Sequence, residues 1–142
     1  MEQIKKKKIL WFSPTPVNYE NNSTRGGWID SLESGLNVKK DLQLAICFLS
    51  KNKLEKKTKN NTKYFPVKVK NKFLPLFIKD NLYLKEYLII IKNFNPDIIH
   101  VFGTESNFGL LNKYTSIPIV IHLQGILNPY LNAYFPPNKS IF

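Results

Sequence analysis

The sequence is poor in the residue types that build disulfide frameworks and metal centres. Of its 142 residues one is a cysteine, Cys47, and two are histidines, His100 and His122. A lone thiol excludes an internal disulfide, and two separated histidines without a cysteine pair make no metal-ligand set. Long apolar runs are also missing. Runs such as Leu88–Ile91 fall far short of the ~20 residues that a membrane-spanning helix needs. Lys5–Lys8 resembles the charged start of a signal peptide, but Ile9–Phe12 is too short for the apolar core that should follow. Glycine is scarce, with six residues. The G-x-G-x-x-G fingerprint, the P-loop and the G-x-S-x-G elbow are all absent. These absences lead us to expect a cytoplasmic protein that works without a bound metal or organic cofactor.

What is present is a globular composition. Hydrophobic residues make up 43% of the chain and aromatic residues 13%, which argues against disorder. The length suits one domain with one core. Basic residues outnumber acidic ones 21 to 10, for a net charge of +11. Lysines cluster at Lys5–Lys8 and from Lys51 to Lys79. Two readings stand side by side: a compositional bias that also enriches asparagine, and a basic face for anionic lipid, nucleic acid or a phosphorylated substrate.

Strands and helices alternate along the chain. Ile9–Phe12, bounded by Ser13-Pro14, reads as a strand buried on both faces. An Asn- and Ser-rich loop then ends in Arg25-Gly26-Gly27. Trp28–Val38 has apolar residues at Trp28, Ile29, Leu32 and Leu36, the spacing of a helix with one buried face. Leu42–Leu49 is a second strand, Lys51–Asn61 a solvated loop, and Lys63–Val69 a peripheral strand. Asn81–Phe94 is a helix that stops before Pro96. Asp97–Phe102 is a fourth strand, Glu105–Asn112 a short helix capped by Thr104, and Pro118–Leu123 a fifth strand. The alternation predicts a Rossmann-like three-layer α/β/α domain with a mostly parallel sheet.

In such sheets ligands bind at the carboxyl ends of the strands. The residues with chemistry fall there. Gly26 and Gly27 precede a helix, where free N–H groups attract an anion, and Arg25 can add a charged contact. His122 ends the fifth strand, where it could accept a proton or bond a hydroxyl, or simply cap the strand edge. Glu105 suits a base, a ligand for sugar hydroxyls, or a carboxylate favoured by the helix dipole. His100, set among Ile98, Ile99, Val101 and Phe102, reads as a core residue. Asp30 and Glu33, three apart on the first helix, are expected to face solvent.

Taken in order, Lys8-Ile-Leu-Trp-Phe-Ser13, Gly26-Gly27-Trp28-Ile29, Asn95-Pro-Asp-Ile-Ile-His-Val-Phe-Gly-Thr-Glu105 and Ile117-Pro-Ile-Val-Ile-His-Leu-Gln-Gly125 resemble the amino-terminal domain of the family 4 retaining glycosyltransferases of the GT-B fold. The resemblance spans nearly the whole chain. It implies an acceptor-side domain facing a carboxy-terminal domain that holds most of a nucleotide-sugar donor. Gly26 and Gly27, with Arg25, match the loop beside the donor diphosphate. His122 matches a histidine beside the reacting sugar, the catalytic position. Gly103, Thr104, Glu105 and Ser106, with Gln124 and Gly125, match the acceptor side. No metal is implied. The resemblance also implies that the chain, ending at Phe142, covers only the first and incomplete domain of a longer enzyme and lacks transfer activity alone.

Two functions remain open on the residues themselves. One is the acceptor domain of a transferase that builds polysaccharide or glycolipid at the inner membrane face, with peripheral contact to anionic lipid. The other is a non-catalytic basic module binding an anion, a membrane surface or nucleic acid. The absence of any recognised nucleic-acid-binding motif weighs against nucleic acid.

Overall fold

The structure, a computed structural model, describes residues 6–20, 27–69, 76–103 and 107–123. It is an α/β fold with a six-stranded sheet. The strands are β1 (Lys7–Ser13), β2 (Leu42–Ser50), β3 (Lys57–Lys59), β4 (Thr62–Lys68), β5 (Ile98–Phe102) and β6 (Ile119–His122). The helices are α1 (Trp28–Asn37) and α2 (Leu76–Phe94). The spatial order is β3-β4-β2-β1-β5-β6, with every neighbouring pair parallel except β3 and β4.

The apolar run that begins the chain becomes the middle of the sheet. Strand β1 lies between β2 and β5 and sends alternate residues to two cores. Trp11 faces a cluster with Ile29 of α1, Ile46, Phe48, Tyr64 and Phe102. Leu10 and Phe12 face a cluster with Tyr83, Tyr87, Ile90, Ile91 and Phe94 of α2. Each helix covers one face, so the strands carry apolar residues on both sides, as parallel sheets require. The Rossmann-like three-layer expectation holds.

Several boundaries shift. Lys51–Asn61 is not all loop, because Lys57–Lys59 pairs with Thr62–Tyr64 as an antiparallel hairpin. Its two-residue turn, Asn60-Asn61, has φ of 48° and 66°, the left-handed pair that matches strand twist in tight hairpins. Asparagine tolerates that region, so the turn forms without glycine. Helix α2 begins at Leu76, earlier than Asn81. It ends at Phe94 as expected, with Asn95 in the left-handed region and its N–H bonded to the Ile91 carbonyl at 2.8 Å. The expected helix over Glu105–Asn112 is a 3₁₀ segment at Asn107–Lys113. There Gly109 lies so close to β6 that a Cβ would meet Ile121 Cδ1 at 3.2 Å. The expected Thr104 cap lies outside the described residues.

Candidate functional site

The sheet order contains a topological switch. From β1 the chain steps out to β2 and β4, then returns to the other side of β1 for β5 and β6. The connections after β1 and β5 therefore leave in opposite directions and open a crevice at the carboxyl ends of those strands. Gly27 ends the first connection and Gly103 begins the second.

Gly27 is the residue before α1 and has φ 53° and ψ −129°. That conformation is unfavourable for residues with a Cβ, so the position calls for glycine although nothing crowds it. As a glycine, Gly27 makes no side-chain cap to the first turn of α1, and helix starts of this kind offer N–H groups to anions. Asp30 already places one carboxylate in that turn. Gly103 is buried, with φ 80°. Its N–H donates to the His122 carbonyl at 2.8 Å, extending the β5–β6 ladder. That amide is therefore occupied, and the position offers close approach rather than a hydrogen-bond donor.

His122 is exposed at the end of β6. Its ring lies against Trp28, the first residue of α1, at a centroid distance of 4.8 Å and an interplanar angle of 31°. Phe102 stands 5.9 Å from it and His100 6.0 Å. Thus the start of α1 and the end of β6, distant in sequence, meet at one edge. Of the expected site residues, Gly27, Gly103 and His122 are brought to this edge. Arg25, Gly26, Thr104, Glu105, Ser106, Gln124 and Gly125 lie outside the described residues.

His100 is more than a core residue. It is half-buried on the α1 face of β5 and stacks on Phe102 at 4.2 Å. It helps line a groove of about 210 Å³ with Ile9, Trp11, Leu32, Leu36, Ile98 and Val120. Its Nε2 is buried and has no hydrogen-bond partner among the described residues. Burial, and then the neighbouring His122, hold its pKa below the ordinary histidine value.

Glu33 corrects the solvent-facing expectation. Its side chain is fully buried, whereas Asp30 is half-buried. Glu33 accepts hydrogen bonds from the Asn18 N–H at 3.3 Å, the Asn18 Nδ2 at 2.9 Å, the Asn37 Nδ2 at 3.5 Å and the Tyr64 hydroxyl. A carboxylate is tolerated inside because these donors replace water. The pattern was present in the sequence: Glu33 lies four residues after Ile29 and three before Leu36, on the stripe that α1 buries. Burial first, then the bond to Glu33, push the Tyr64 hydroxyl pKa far up, so the phenol stays protonated and donates.

The same network ties the loop after β1 to the edge hairpin. Lys59 Nζ donates to the Asn18 carbonyl at 2.8 Å, and Tyr19 donates to the Glu55 carbonyl at 2.8 Å. Asn18 Nδ2 also reaches the Asp30 carbonyl at 3.2 Å, inside the first turn of α1. The first turn of α1 is thereby tied to the hairpin edge of the sheet.

No protein-family model matches the chain, and the curated proteins contain no match to it. Among the described residues there is no cluster of three or more potential metal ligands. Nor is any described helix long and apolar enough to cross a membrane.

Two outcomes follow. Glu33→Ala strands the Asn18 amide and the Tyr64 hydroxyl, and should lower stability by about 1–3 kcal/mol in urea unfolding; an unchanged midpoint contradicts the network's role. His100 has a lowered folded-state pKa, so below the ordinary value of 6.5 the unfolded chain takes up the proton more readily. The stability it contributes is present above that pH and is lost as pH falls through it toward the folded pKa. His100→Gln should therefore show a shallower fall in stability on acidification than the native chain; parallel pH curves contradict this.

Proposed function

We propose that this chain is the acceptor-side domain of a glycosyltransferase. The enzyme would move a sugar from a nucleotide-sugar donor to a glycan or lipid-linked acceptor in polysaccharide or glycolipid synthesis. The observation that carries the reading is the meeting of Gly27, Gly103 and His122 at the switch-point edge of a parallel sheet. The sequence resemblance supports it with the order and spacing of the same segments.

In this reading the start of α1 faces the donor diphosphate and Arg25 adds charge to it. Neutralising the diphosphate favours its departure as a leaving group. His122, held by Trp28, bonds a hydroxyl of the transferred sugar or takes up a proton as the acceptor oxygen attacks. Thr104, Glu105, Ser106, Gln124 and Gly125 are the proposed acceptor contacts. The reading calls for neither a metal nor an organic cofactor. The exposed imidazole and the open edge both suit a site completed by a second domain.

The test is transfer activity in the longest protein that carries this chain. His122→Ala should cut kcat at least about a hundredfold with an unchanged circular dichroism spectrum. Native turnover in a folded His122→Ala protein would overturn the reading in favour of a non-catalytic anion-binding module.

A further inference from the structure

Part of the lysine cluster that begins at Lys51 is engaged within the fold. Lys57 Nζ sits over the Tyr19 ring at 3.7 Å, Lys59 Nζ bonds the Asn18 carbonyl, and Lys56 Nζ lies 5.9 Å from the Phe65 ring centre. A different surface has the chemistry of a lipid contact. On α2 the side chains of Tyr83, Tyr87, Ile90, Ile91 and Phe94 enter the core. The opposite side of the helix presents Lys85, Ile89 and Lys92, with Leu84 and Leu88 half-buried on its flank against the core.

These residues border a shallow groove of about 360 Å³. Ile89 is 46% exposed, a large apolar side chain on a solvent-facing surface. Lys85 and Lys92 are both exposed, seven residues apart and so on the same side of the helix. Glu86 is half-buried on the flank toward the sheet, within electrostatic reach of Cys47 and Tyr87. The chain's net charge of +11 supplies a positive field around the pair.

We infer that the outward face of α2, from Leu84 to Lys92, is a docking surface for an anionic lipid bilayer. Apolar side chains between two long cations enter the interfacial layer while the ammonium groups reach the headgroup phosphates. Each lysine near such a surface adds to the attraction, so the pair acts together with the surrounding positive field. A nucleic acid or another soluble polyanion would use the charges but leave the apolar ridge in water. The surface is separate from the Gly27–His122 edge and stands whether or not that edge transfers a sugar.

The test uses the full chain and vesicles of phosphatidylcholine with and without phosphatidylglycerol, read by co-sedimentation. The native chain should bind the phosphatidylglycerol vesicles and not phosphatidylcholine alone. Lys85→Glu/Lys92→Glu should lower the partition coefficient at least about tenfold. The charge-matched control Lys51→Glu/Lys53→Glu should keep most of it. Ile89→Ser should weaken vesicle binding a few-fold and leave binding to duplex DNA unchanged. The variants change exposed side chains, and circular dichroism checks that each is folded. Absence of phosphatidylglycerol-dependent binding, equal loss in both charge reversals, or indifference to Ile89→Ser would each overturn the inference, the last in favour of a soluble polyanion.

Discussion

Burial of β1 on both faces is the constraint on which the rest depends. Leu10 and Phe12 need one apolar cover and Trp11 needs another, so a helix must lie on each side of the sheet. Placing neighbouring strands on both sides of β1 then forces the chain to reverse direction around it. The reversal creates the crevice at the carboxyl end of β1, and the start of α1 and the end of β6 meet beside it. A charged or small residue at Trp11 or Phe12 would weaken both the core and the candidate site.

A second layer of order comes from a polar interaction. The buried Glu33 joins α1, the turn containing Asn18 and strand β4 through Tyr64. A carboxylate in that position is stabilising only while its donors are present, so it demands a specific arrangement where an apolar residue would tolerate several. Asn18 carries that demand to the Asp30 carbonyl, one helical turn from Gly27. The network thus links the hairpin edge of the sheet to the first turn of α1, beside the candidate site.

Much of this was legible in the sequence. The runs at Ile9–Phe12, Leu42–Leu49 and Asp97–Phe102 are mostly apolar and do not alternate strictly, which is the mark of strands covered on both faces. Asn95-Pro96 announced the end of α2. The charge of Glu33 points to solvent, but its spacing from Ile29 and Leu36 places it on the buried stripe. The strand at Lys57–Lys59 left almost no signal: an edge strand needs little apolar character, and its lysines resemble those of a solvated loop. The aromatic and imidazole contacts at the candidate site join Trp28, Phe102 and His122 across long sequence separations, so only the fold reveals them.

His122 and the groove beside His100 also divide two kinds of histidine. One is exposed at the edge where ligand chemistry would occur. The other is held neutral by its surroundings and supports the face beneath. The proposed role of the switch-point edge is to receive a diphosphate. Titration of the isotopically labelled chain with uridine diphosphate, followed by nuclear magnetic resonance, tests it. Saturable shifts confined to the Gly27 and Trp28 amides, Gly103 and the His122 ring are predicted; shifts spread over the lysine-bearing surfaces, with those groups unmoved, would contradict it.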